Sequence, residues 1–112
     1  MSEVVVVGSF TARPGKERDA EEAFAALLEP THAEEGCILY ALHRGTEDPR
    51  RLTFIERWAS PETLEAHLAS AHIEDVLARA DDLFGDSGEI VVYEALAGGE
   101  ARKGSLAAHA GG

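Results

Sequence analysis

A run of four valines, Val4 to Val7, opens a stretch that reads as a strand as far as Ala12. A continuous apolar start marks a strand covered on both faces. Arg13-Pro14-Gly15 stops it as a turn. From Lys16 the period becomes helical: Ala20, Ala23, Phe24, Leu27 and Leu28 share one face, while Glu17, Arg18, Glu21 and Glu22 take the other. Pro30 predicts a kink, or an end to the regular helix near Leu28, with a last turn to Glu35 capped by Gly36.

Cys37 to Arg44 reads as a second strand and Arg51 to Trp58 as a third, joined by a hairpin loop over Gly45 to Arg50. Alternation in the third strand sets Leu52, Phe54, Glu56 and Trp58 against Thr53, Ile55 and Arg57. Ser60-Pro61-Glu62 is a helix start: an N-cap serine, proline at the first helical position, and an acid near the positive helix end. Leu64, His67, Leu68 and Ala71 then line one helix face. Ser70-Ala71-His72 reads as a joint, and a second segment turns Ile73, Val76, Leu77, Ala80 and Phe84 inward. Gly85 to Gly88 is a loop, and Glu89 to Leu96 is the fourth strand.

The order β-α-β-β-α-β predicts an α+β, ferredoxin-like fold, a four-stranded antiparallel sheet with its helices on one face. The first and fourth strands are apolar on both sides, so the uncovered face calls for a partner, most simply a second copy related by a two-fold axis. Residues 1–96 read as one domain. Residues 97–112, rich in Gly and Ala and without periodicity, read as a flexible tail.

Charge and cysteine usage narrow the partners. A net charge of −11 repels a phosphate backbone and anionic membrane surfaces, and no Lys/Arg cluster offsets it. The apolar runs are too short to span a bilayer. Met-Ser-Glu lacks the basic start of a signal peptide, and one cysteine, Cys37, makes no internal disulfide; both point to the cytoplasm. One cysteine also cannot hold an iron–sulfur cluster, and neither a dinucleotide fingerprint nor a P-loop is present. No cofactor is expected.

The segment from Phe54 to His72, with Glu56-Arg57-Trp58, Ser60-Pro61 and Leu64 followed by His67 and Leu68, resembles the antibiotic biosynthesis monooxygenase family. Its cofactor-free quinol monooxygenase branch is the most similar. Glu34-Glu35-Gly36-Cys37 followed by Tyr40, Arg13-Pro14-Gly15 and Pro30 carry the same resemblance, which covers roughly residues 3–96. It implies a dimeric α+β barrel with a small-molecule pocket between sheet and helices in each subunit. It also implies a cofactor-independent oxidation of a phenolic, quinol-like or polycyclic aromatic compound by dioxygen.

His67 is the first catalytic candidate, because an imidazole facing an apolar pocket can take a proton from a phenol near neutral pH. A core histidine satisfied by a backbone or carboxylate bond fits the pattern as well. Glu56 is the second: on an inward face it orients His67, or it pairs with Arg44 or Arg57. Tyr40, Phe54, Trp58 and His72 are candidate substrate contacts, each equally readable as packing or, for His72, as a helix-start residue bonded to backbone. On an unbroken helix His72 lies about 140° from His67, so the two do not share a face or a metal unless the joint at Ser70 redirects one. His43 reads as solvated, and acidic neighbours make Cys37 a poor nucleophile. Haem-degrading relatives carry a ligand histidine and an asparagine where this chain has Leu77 and Gly8, and a tryptophan in place of His67, so haem chemistry is not implied. A proton-transfer isomerase acting on a small carbonyl compound and a non-catalytic ligand-binding dimer remain open.

Overall fold

The computed structural model describes residues 3–106. The expected tail therefore falls partly outside the described residues. Four strands, β1 (Val4–Thr11), β2 (Cys37–Arg44), β3 (Arg51–Trp58) and β4 (Glu89–Tyr93), form one antiparallel sheet in the order β2-β3-β1-β4. Between β1 and β2 lie α1 (Glu17–Ala25) and α2 (Leu28–His32). Between β3 and β4 lie α3 (Pro61–Leu68), α4 (Ala71–Leu77) and α5 (Ala80–Phe84). The strand and helix order is the ferredoxin-like one anticipated above.

Register assigns the faces. Val6 pairs with Glu56, Gly8 with Phe54 and Phe10 with Leu52. Directly opposed residues share a face, so these six look toward the helices. Tyr40 opposes Glu56 and joins them. Val5, Val7, Ile55, Val91 and Tyr93 occupy the opposite face. The helix side holds an aromatic cluster: Phe24 stacks on Phe84 at 4.7 Å, and Tyr40 stacks on Phe54 at 4.7 Å. Phe24 joins the two pairs through Phe54 at 4.8 Å. Each such pair contributes about 0.5–1.5 kcal/mol beyond area burial.

The helices break near Pro30 and at Ser70, as read from the sequence, and at one further place after Leu77. The first break falls at Ala26–Leu27, just ahead of Pro30, whose ring crowds the carbonyl four residues back and has no N–H to bond it. Ser70 adopts an extended conformation (φ −72°, ψ 157°) and separates α3 from α4. A further break after Leu77 shifts the helical phase. Leu77, expected to point inward, is 59% exposed, and Leu68 is 43% exposed. Ala71 is exposed as well. The fourth strand ends at Tyr93 instead of Leu96. Beyond it, Lys103 and Gly104 donate backbone bonds to Glu100 O, and Leu96 and Leu106 share a shallow hollow with Val5 and Tyr93 on the outer face. Among the described residues, no helix is long and apolar enough to cross a membrane.

Candidate functional site

A cavity of about 160 Å³ lies between the sheet and the helices. Gly8, Phe54 and Ile90 form its floor, and Phe24, Ile73 and Phe84 cover it. Leu68, Leu77 and Ile90 stand at the rim, which explains how such large apolar side chains come to be exposed. Among the described residues that line it, three bring polar side chains: Tyr40, Glu56 and His67. A mostly apolar hollow with a few convergent polar groups is the usual form of a small-molecule site.

The start of α3 positions His67. Ser60 Oγ accepts from Thr63 N at 3.2 Å, and Thr63 Oγ1 accepts from Ser60 N at 3.1 Å, a reciprocal cap that fixes the helix entry. One helical face then carries Leu64 and His67 into the core. His67 is 1% exposed. Its ring lies 4.6 Å from Trp58 and edge-on to Tyr40 at 5.2 Å. Its Nδ1 donates to Glu34 Oε2 at 2.8 Å. A carboxylate only accepts, so the proton sits on Nδ1 and leaves Nε2 as a free acceptor. Burial pushes the His67 pKa below its ordinary value, and the bond to Glu34 opposes that only in part. The ring is thus neutral near pH 7.

Glu56 faces the same cavity and is 7% exposed. Trp58 Nε1 donates to its Oε1 at 2.9 Å. Desolvation raises its pKa to about 7, with the Trp58 bond lowering it and the charge of Glu34 adding to the rise. The partners expected from the sequence are engaged elsewhere: Arg44 pairs with Glu21 at 2.7 Å, and Arg57 pairs with Glu3. Nor does Glu56 orient His67, because Glu34 holds that position.

Of the remaining candidates, Tyr40 and Phe54 line the cavity, whereas Trp58 and His72 do not. Trp58, fully buried, backs His67 and bonds Glu56. Burial, reinforced by the Glu56 charge, drives the Tyr40 pKa far above its ordinary value, so its hydroxyl stays protonated. His43 is exposed. Desolvation, then the charges of Glu34 and Glu56, raises the Cys37 thiol to about 11, which makes it a poor nucleophile.

His72 departs from the helix-start role. Its Nε2 donates to Glu34 Oε2 at 2.7 Å and lies 3.3 Å from Ser70 Oγ. Glu34 is the member that sequence reasoning missed: one carboxylate oxygen receives both histidines. Glu34, His67 and His72 bring three possible ligand atoms within 4.8 Å of one another.

A sheet ordered β2-β3-β1-β4, with helices on one face and an apolar cavity between the layers, defines a ferredoxin-like α+β protein with an internal cavity. The chain belongs to the antibiotic biosynthesis monooxygenase family, whose sequence profile matches residues 3–79. It is 36% identical over 86 residues to Rv0793 of Mycobacterium tuberculosis, which carries a provisional monooxygenase name; this spans 73% of the chain and 80% of that relative. The structure of Rv0793 superposes with a TM-score of 0.81 and 27% identity, over 88% of this chain and all of the other. PA3566 from Pseudomonas aeruginosa superposes at 0.82 with 28% identity, over 87% and 97% of the two chains. An uncharacterised Synechocystis protein is 24% identical over 81% of the chain, which spans 62% of that relative's length.

Proposed function

We propose that this protein is a cofactor-independent monooxygenase that oxidises a phenolic or quinol-like aromatic with dioxygen, and that His67 is its proton acceptor. The observation that carries this reading is the buried His67 ring at the wall of an apolar cavity, with Nδ1 bonded to Glu34 and Nε2 without a protein partner among the described residues. A cavity of about 160 Å³ holds one aromatic ring, judged against an apolar cavity of about 150 Å³ that binds benzene. A larger ring system or side chain extends past Leu68 and Leu77 toward the rim.

Proton transfer from the substrate hydroxyl to Nε2 leaves an electron-rich phenolate in an environment poor in water. Glu34 stabilises the imidazolium that forms. The phenolate then reduces dioxygen: a quinol plus O₂ yields a hydroxyquinone plus water, so the substrate supplies all the electrons. Glu56, with a pKa near 7, is placed to return a proton to a reduced oxygen species, and the Tyr40 hydroxyl to hold a substrate oxygen. Trp58 and His72 act from behind, through Glu56 and Glu34.

The working unit is a homodimer that covers the outer sheet face, where Val7 lies between Ile55 and Val91. Oxygen consumption with a dihydroquinone, with the hydroxylated quinone identified by mass, tests the activity. Proton exchange at carbon without oxygen uptake would instead mark an isomerase.

A further inference from the structure

Five residues of unbroken helix would turn His67 and His72 apart, so they meet only if the joint read at Ser70 redirects one of them. The extended conformation of Ser70 removes that obstacle by restarting the chain as α4, with His72 its second residue. The loop after α2 then brings Glu34 between them. Two imidazole nitrogens and a carboxylate oxygen converge from three segments, at 2.8 Å for His67 Nδ1 and 2.7 Å for His72 Nε2 to the same Oε2.

We propose that Glu34, His67 and His72 form a binding site for one divalent transition-metal ion of the zinc type. A two-histidine, one-carboxylate set suits zinc and its neighbours, whereas magnesium and calcium prefer oxygen donors. Three such ligands on tetrahedral zinc stand about 3.3–3.5 Å apart. Glu34 Oε2 stands 2.8 and 2.7 Å from the two nitrogens and all three donor atoms lie within 4.8 Å of one another, so Glu34 must retreat by about 0.6 Å while the two imidazoles close by up to about 1.4 Å. The side chains of Glu34 and His72 are 17% and 23% exposed, which gives an ion a path in and leaves a coordination position open to water. A net charge of −11 favours a cation.

The site lies behind the cavity rather than in it, because neither Glu34 nor His72 lines the cavity wall. An ion bound to Nδ1 takes the lone pair of that nitrogen and forces the proton of the neutral ring onto Nε2. His67 then presents a donor to the cavity where it had presented an acceptor. The metal is therefore a brake on the proton transfer. This consequence rests on the reading of His67 given above, but the binding itself does not.

Calorimetric titration of the full chain with Zn²⁺ at pH 7, with Mg²⁺ as comparison, tests the site. Saturable binding of one Zn²⁺ per chain is expected, with no Mg²⁺ binding. His72→Gln, which keeps a hydrogen-bonding group toward Glu34 but no imidazole, and Glu34→Gln should each weaken Zn²⁺ at least about 100-fold, beyond the range for losing a supporting contact. His43→Ala, at an exposed position on β2, should leave binding unchanged. Zn²⁺ should also raise the thermal midpoint of the wild type and not that of His72→Gln. Absence of one-per-chain binding, or an affinity that His72→Gln does not move, overturns the proposal. Either result leaves the oxygen-consumption test of the proposed function untouched.

Discussion

Glu34 Oε2 accepts a hydrogen bond from His67 Nδ1 at 2.8 Å, joining the loop after α2 to the buried face of α3. The bond fixes the tautomer and orientation of the one imidazole on the cavity wall. Glu34→Gln keeps a hydrogen-bond acceptor but removes the negative charge that stabilises the imidazolium. A hydrogen bond to a charged group contributes about 1.5–3 kcal/mol, so kcat should fall about 10- to 100-fold. Steady-state kinetics beside a melting curve check this. A drop in thermal midpoint with kcat unchanged would make the bond purely structural.

Glu56 gives the fold a pH dependence. Its folded pKa, about 7, lies above the ordinary 4.5, so between these values the folded state binds more protons than the unfolded state. Stability contributed by the protonated group is complete below pH 4.5 and declines as pH rises, levelling off above 7. The change amounts to about 3 kcal/mol. Glu56→Gln cannot ionise, so its stability relative to wild type should rise by about that amount between pH 4.5 and pH 8. Denaturant unfolding at the two pH values measures it, and parallel pH curves for wild type and variant would refute it.

Gly36 has φ +85°, and a Cβ there would lie 2.5 Å from Thr63 Cβ and Cγ2. Thr63 belongs to the cap that enters α3, and Gly36 O accepts from Ala59 N at 2.8 Å. Gly36→Ala therefore combines backbone strain with a clash and should destabilise by about 2 kcal/mol or more. It lies two positions from Glu34, so kcat should fall too. A variant with wild-type stability by denaturant unfolding would contradict the placement.

The sequence conveyed the sheet better than the site. β2 and β3 keep the ends read from it, because strict alternation and a Gly/Asp/Pro loop fix a hairpin locally. Ser60-Pro61 likewise marks where α3 begins. His67 was placed inward by its neighbours Leu64 and Leu68. Glu34 was not found because it occupies a short loop before Gly36, where no period distinguishes it from Glu35. The requirement for positive φ at Gly36 was the only local signal of a fixed loop there. The joint at Ser70 was legible, but not the direction in which it turns His72, and the further break after Leu77 carried no signal in the pattern.

The outer face of the sheet sets the expected assembly. Val7 sits there between Ile55 and Val91, an apolar strip that no helix covers among the described residues. Light scattering at micromolar concentration should give about twice 12.0 kDa. Val7→Asp, which would bury an unpaired charge at the interface, should shift the protein to monomer. A monomeric wild type would contradict the dimer.

The role of His67 is tested most directly by oxygen uptake with a dihydroquinone, measured for wild type and His67→Ala per folded chain. A general base contributes 10²- to 10⁴-fold, about 3 to 5 kcal/mol of barrier. The account predicts a loss of that size in kcat, with the variant still folded by thermal melting and its uptake not recovered at saturating substrate. Oxygen uptake by folded His67→Ala equal to that of the wild type would contradict it.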